Sequence, residues 1–338
     1  MIITTYSFPR AALIGNPSDG YYGKTIAFVF RNFHAKVMLY ETPELEIIPQ
    51  ERDRSIFSSV EGLCQDVEMY GYYGGIRLLK AAIKKFYEHC RDNGIKLENK
   101  NFTIRYSTTI PNRLGLAGSS AIITACVKAL MRFYQVEIPI PLQANLVLSV
   151  ETEELGIGAG LQDRVAQAYE TPVYMDFDKT IMEHQGYGNY QTLDPSVFPP
   201  LYIAYRTDLS EGSEVVHNNL RERYELGDEK VHQAIKGFAD LTTQAKTCLE
   251  KGDSSRLGEL LNANFDLRCT IMEISAENKK MVELARSVGA SSKFTGSGGA
   301  IIGTYKDEKM YKKLTEVFDA EKIALLKPEI ISYKTKKN

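Results

Sequence analysis

One stretch limits the fold of this chain more than any other: Pro111-Asn112-Arg113-Leu114-Gly115-Leu116-Ala117-Gly118-Ser119-Ser120-Ala121. It follows a run rich in β-branched residues, Thr103 to Ile110. After it, Ala121, Ile122, Ala125, Cys126, Ala129, Leu130 and Phe133 recur at three-to-four spacing. The pattern predicts a strand, a tight small-residue turn and an amphipathic helix packed back on the strand. Such a turn lets an anion approach the backbone, while the helix start offers unpaired N–H groups and the positive end of its dipole. Ser119 and Ser120 add hydroxyls for a phosphate or a magnesium ion. The lysine of the Walker loop is absent, so a P-loop nucleotide site is excluded. Alone, the stretch equally describes a serine-capped turn.

At 338 residues the chain has room for two domains with a cleft between them. Asp194 to Pro200, with three prolines in six residues, cannot lie inside a helix or a central strand, so the division is expected there: residues 1–195 and 196–338. Before it, a second apolar stripe, Ile76, Leu79, Ala82, Ile83, Phe86 and Tyr87, predicts another helix, and Ala35 to Leu39 alternates as a strand does. After it, the order is a strand at Leu201 to Arg206, helices from about Asp228 to Ala285, strand, turn and strand over Ser291 to Tyr305, a short helix, and a strand at Glu329 to Tyr333. Helices on one face of a small antiparallel sheet satisfy that order, an α+β class.

Composition narrows the function classes. With 43% hydrophobic and 25% charged residues the chain is neither disordered nor fibrous, and a net charge of −2 gives no global basic field for nucleic acid. The five cysteines are scattered without a C-x-x-C pair, and no two histidines stand three or four apart, which argues against disulfide stapling and a helical metal pair. No window reaches ~18 uninterrupted apolar residues and the first ten residues lack a leader pattern. A cytoplasmic protein without a membrane or nucleic-acid partner is expected, as a monomer or homodimer.

Two further segments flank the central turn in sequence: Pro9-Arg10-Ala11-Ala12-Leu13-Ile14-Gly15-Asn16-Pro17-Ser18-Asp19-Gly20, and Lys293-Phe294-Thr295-Gly296-Ser297-Gly298-Gly299-Ala300. Together, in this order, the three resemble the signature motifs of the GHMP kinases across nearly the whole chain. Within that family the resemblance is to the glucuronokinase branch, through Gly15 to Gly23, Gly71 to Gly75, Gly160 to Gln167 and Asn264 to Arg268. Asn16 and Pro17 stand where a galactokinase would show glutamate and histidine. The resemblance implies an N-terminal ATP-binding domain of ribosomal-protein-like fold and a C-terminal ferredoxin-like domain, with the active site in the cleft.

The resemblance also implies roles. ATP phosphates would lie on Pro111 and Leu114 to Ala121, that is Leu114, Gly115, Leu116, Ala117, Gly118, Ser119, Ser120 and Ala121. Magnesium would be held by Ser120 and Glu151, with Glu153 and Glu154 as rival ligands. Asp163 would orient the acceptor hydroxyl with Arg10 beside it, a pairing suited to phosphoryl transfer. Asn16, Asp19, Tyr22, Gly296 and Ser297 would face the acceptor. The implied reaction is phosphorylation of the anomeric hydroxyl of D-glucuronate; another aldose, galactose or mevalonate as acceptor, or a silent sugar- and ATP-binding regulator, are the alternatives. A uronate carboxylate calls for a cation or hydroxyl donors, with Arg77, Arg164, Arg268, Tyr21, Tyr22, Tyr72 and Tyr73 as candidates.

Overall fold

A computed structural model describes residues 2–50, 53, 59, 74–112, 114–206 and 220–332. Tyr72 and Tyr73, with Arg113, lie outside the described residues.

Among the described residues three four-stranded sheets form. The first has the order β1 (Ile2–Ser7), β4 (Ala35–Thr42), β6 (Asn101–Thr108) and β5 (Glu46–Ile48), antiparallel except for the β5–β6 pair. Along β4 buried and half-buried residues alternate, so one face packs on the core. The Gly75–Asp92 and Gly118–Tyr134 helices cover that face, the second with the stripe expected of it, and the Thr5 hydroxyl donates to the Ala125 carbonyl at 2.7 Å. In the first, Leu79, Ala82 and Phe86 are buried with Leu78, Ala81 and Cys90, while Tyr87, expected in the stripe, is exposed because the buried face runs on through Cys90 instead. The second sheet runs β2 (Arg10–Ile14), β3 (Lys24–Val29), β7 (Val173–Asp176), β8 (Asn189–Thr192), all antiparallel. Every residue of β2 is buried.

The proline segment connects β8 to the third sheet, whose order is β10 (Lys293–Phe294), β11 (Ala300–Thr304), β9 (Leu201–Tyr205), β12 (Ala324–Leu326). Taken in chain order these strands lie 2-3-1-4 with all pairs antiparallel, which is the split β-α-β-β-α-β arrangement of a ferredoxin-like layer. The long helical stretch resolves into Glu229–Lys251, Ser254–Ile271 and Ala276–Ser287. Asp228, Asp253 and Ser275 cap the three N-termini with their side-chain oxygens, and Gly252, at φ 70°, ends the first.

The strand expected at Glu329 to Tyr333 is not formed over its described part. A single antiparallel bridge joins Phe30 to Ile330, and the Ile331 N–H donates to the Val29 carbonyl at 3.1 Å. Pro328 lacks the N–H that would extend pairing back toward β12. The largest apolar cluster runs from Val37 and Ile104 through Leu130 to Leu249, Leu261 and Ile302, so the two halves of the chain share one core.

Candidate active site

Arg10 opens β2 immediately after Pro9; β2 is an edge strand yet buried along its whole length, and the Arg10 side chain is 4% exposed. One Nη bonds Asp163 Oδ1 at 2.6 Å. The other donates to the Gly115 carbonyl at 3.1 Å and to the Thr295 carbonyl. One guanidinium therefore touches the acid of the 160–167 segment and both glycine turns. The two turns also touch each other through backbone alone: a Cβ on Gly296 would stand 2.3 Å from the Gly115 oxygen. Gly115, at φ 61°, and Ala117, also left-handed, bend the chain into the start of the Gly118–Tyr134 helix.

Leu114, Leu116 and Ala121 turn their side chains into the core, so only their backbone can face a ligand. Ser120 is 1% exposed and its hydroxyl donates to the Ala117 carbonyl at 3.1 Å, whereas Pro111, Gly118 and Ser119 are half-buried. Gln167, the last residue of the Gly160–Gln167 stretch and given no role by it, donates to the Ala117 carbonyl at 2.9 Å and to the Phe8 carbonyl at 3.1 Å, fixing the turn from beneath.

Asp163 stands in the first turn of the Gln162–Tyr169 helix. Burial alone would raise its pKa, but the Arg10 and Arg164 charges and hydrogen bonds from Arg10 and Gln162 outweigh that and hold it below the usual carboxylate range. Glu151 is 2% exposed inside a π-turn (Val150–Glu154) and is held by Arg164, whose Nε bonds Oε2 at 2.6 Å. Burial raises the Glu151 pKa while the Arg164 charge opposes the rise. Arg164 also approaches Asp163 Oδ2 at 3.3 Å and donates to the Gly160 carbonyl at 2.8 Å. Asp19, from the Ser18–Tyr21 turn, receives the Gln162 N–H at 3.4 Å. Its pKa is raised to about 6, first by burial and then by the Asp163 charge, against Arg10.

The remaining expected residues divide. Gly296 and Ser297 are half-buried beside Gly115. Asn16 is buried, its amide donating to the Phe294 and Gly296 carbonyls at 3.4 and 3.3 Å. Tyr22 is 47% exposed, with the Lys179 ammonium 5.9 Å from its ring centre, apart from the Arg10–Asp163 pair in the contacts it makes. Glu153 and Glu154 pair with Lys85 at 2.8 Å and Lys84 at 2.5 Å on an exposed face. Arg268, 2% exposed, donates to the Gly296 and Ser297 carbonyls at 2.8 and 3.0 Å, and exposed Arg77 to the Leu155 carbonyl at 2.9 Å. Lys293, fully buried, donates to the Ala12 carbonyl at 2.8 Å, its pKa well below that of a free lysine through burial and the Arg268 and Arg10 charges. No sequence spacing signals the Lys293 contact, which ties β10 to β2.

No group of three or more His, Cys, Asp or Glu side chains able to hold a metal occurs among the described residues. Magnesium needs none, since one or two carboxylates with phosphate oxygens and water suffice, and the Ser120 hydroxyl and Glu151 carboxylate are hard oxygen donors of that kind.

A fold of three largely antiparallel sheets with glycine turns meeting over an arginine–aspartate pair defines the class. The model of the GHMP kinases N-terminal domain matches residues 77–171 and that of the GHMP kinases C-terminal domain residues 245–320. The chain belongs to the GHMP kinase family. It is 45% identical over 303 residues to the probable glucuronokinase 2 of Arabidopsis thaliana, covering 88% of this chain and 82% of that one, and 44% identical over 302 residues to glucuronokinase 1 of the same plant. Among solved structures it resembles Lactococcus lactis galactokinase complexed with galactose, with a TM-score of 0.76 at 15% identity over 98% of this chain and 94% of that one, a likeness of fold.

Proposed function

We propose that this kinase transfers the γ-phosphoryl group of ATP to the anomeric hydroxyl of D-glucuronate. The observation that carries the reading is the Arg10–Asp163 ion pair at the junction of both glycine turns, since it brings an acid for the acceptor and a cation for the transferred group to one point. The 45% identity to the plant glucuronokinase supports the choice of acceptor.

In this reading the Pro111–Ala121 turn and the start of its helix receive the triphosphate, with Gly296 and Ser297 closing over it. Ser120 and Glu151 would hold magnesium, which supplies charge neutralisation on the phosphates. Asp163, kept ionised by its two arginines, accepts a hydrogen bond from the anomeric hydroxyl and takes its proton as the O–P bond forms and the bond to ADP breaks. Arg10 faces the charge on the moving phosphoryl group. Asp19 accepts ring hydroxyls, with Asn16 shaping the floor and Tyr22 the rim. Positioning and charge supply most of the rate, because a loose transition state asks for little covalent help. The proline segment marks the division into residues 1–195 and 196–338, and the free thiols of Cys90, Cys126, Cys248 and Cys269 suit a reducing, cytoplasmic setting. Coupled ADP-release assays over glucuronate, galacturonate, glucose, galactose and mevalonate test the reading. Glucuronate is expected to be preferred, and a neutral sugar used as well or better contradicts it.

A further inference from the structure

Glycines around the site are crowded in two different ways. A Cβ on Gly15 would stand 2.1 Å from the Lys24 oxygen, and one on Gly296 2.3 Å from the Gly115 oxygen, so both residues lie against backbone. Gly160 lies against a functional group instead. A Cβ there would stand 2.2 Å from Asp19 Oδ2 and 3.0 Å from its Cγ, while the Gly20 nitrogen, at 3.6 Å, is an ordinary contact. The Gly160 backbone is outside the left-handed region, so no dihedral angle demands glycine at this position. What the missing side chain provides is room for one carboxylate.

That room is used. The Gln162 N–H donates to Asp19 Oδ2 at 3.4 Å, the same oxygen that Gly160 leaves space for, and the residue after Gln162 is Asp163. The Asp163 charge opposes that of Asp19, whereas Arg10 and Arg164 draw it inward. Gly160 is itself held in place: its carbonyl accepts from Arg164 Nη1 at 2.8 Å, and Arg164 is fixed on Glu151, with Nε 2.6 Å from Oε2. An added methyl at Gly160 could retreat only by breaking those bonds. The Asp19 side chain, with two rotatable bonds, turns instead, and its Oδ2 then leaves the Gln162 N–H. One glycine thus fixes how the Asp19 carboxylate stands relative to that of Asp163.

We propose that Gly160 is a positioning residue for the acceptor: lacking a Cβ, it seats the Asp19 carboxylate on the Gln162 N–H and so sets where the sugar hydroxyls are held relative to Asp163. This rests on the reading above, in which Asp19 accepts those hydroxyls. The test is a double-mutant cycle of Gly160→Ala and Asp19→Ala, read as the KM for glucuronate, the KM for ATP, kcat and the melting temperature. Gly160→Ala should raise the KM for glucuronate about tenfold, with the KM for ATP within about twofold and kcat within about threefold of the unaltered enzyme, because the displaced group binds ground state and transition state alike. In the Asp19→Ala background the carboxylate is gone, and adding Gly160→Ala should change that KM by less than about twofold. If Gly160→Ala alone does not fold, the double variant should fold and melt close to Asp19→Ala, since the clash has been removed. A purely structural role would act equally in both backgrounds. An additive rise in KM, an equal loss of melting temperature with and without Asp19, or an unchanged KM in folded Gly160→Ala therefore overturns the proposal. An unchanged KM for glucuronate in Asp19→Ala overturns the role given to Asp19, and this proposal with it. No use of glucuronate by the unaltered enzyme overturns the acceptor reading alone; the same cycle, run on the sugar that is used, then decides the role of Gly160.

Discussion

Arg10 and Asp163 stand far apart in sequence, and their pairing gives the sharpest expectations for single side chains. Asp163→Asn should lower kcat by roughly 10²- to 10⁴-fold, the usual contribution of a positioned proton acceptor, while calorimetric affinity for ADP changes little. Retention of kcat within threefold would remove Asp163 from the reaction. Arg10→Lys keeps the charge yet loses the fork that reaches Asp163, Gly115 and Thr295 together, so kcat should fall there as well. Asp19 gives a pH-dependent expectation. Its folded pKa, about 6 against an ordinary 3.8, means that the folded protein binds this proton more tightly than the unfolded chain. The stabilisation is complete below about pH 4 and is lost as the pH rises through 6, so at neutral pH the ionised group opposes folding by up to about 3 kcal/mol, from 1.36 kcal/mol per pKa unit. Asp19→Asn should therefore raise the melting temperature at pH 7.5 and leave it nearly unchanged at pH 4, while the KM for the sugar rises. Melting curves at both pH values, with no gain at pH 7.5, would show that Asp19 is not held ionised against burial.

The two glycine turns act as one element, because each occupies space that a side chain on the other would need. Gly296→Ala sets a Cβ 2.3 Å from the Gly115 oxygen, so the turns must part. Nucleotide affinity should drop at least ~10-fold and the melting temperature should fall, as for other overpacked backbone contacts. Gly118 is different: a Cβ there meets only Ile110 at 3.4 Å, an ordinary contact on the protein side. Gly118→Ala should thus fold normally, and Gly118→Val should fold but lose nucleotide affinity, since its branches occupy the space a phosphate needs. Calorimetry with ADP distinguishes the two positions; unchanged affinity in folded Gly118→Val would place the nucleotide elsewhere.

Across the whole molecule, what could be read from sequence was local. The strand and helix around Pro111–Ala121 and the stripe of the Gly118–Tyr134 helix are periodicities within one element and recur as expected, while the Gly75–Asp92 stripe recurs through Leu79, Ala82 and Phe86 but not Tyr87. The division of residues 228–285 into three helices was written in Asp228, Gly252, Asp253 and Ser275, small signals inside a long apolar pattern. Pairings between distant segments were not legible. Arg164 and Arg268, read as cations open to a substrate carboxylate, are turned to Glu151 and to the Gly296 and Ser297 carbonyls, the latter because the Ser254–Ile271 helix packs on β10, and Asn16 is directed to the same turn. Lys293 and Gln167 lie inside the Lys293–Ala300 and Gly160–Gln167 segments without a role that the motifs assign, yet they brace the strand and the turn on which the site is built.

The most direct measurement is the ³¹P NMR spectrum of the product formed from ATP and D-glucuronate. Transfer to the anomeric oxygen predicts a sugar phosphate whose phosphorus couples to the anomeric proton, with ADP released in equal amount, and loss of that product in Asp163→Asn. A phosphate coupled to any other ring proton, or ADP release without a phosphorylated uronate, would contradict it.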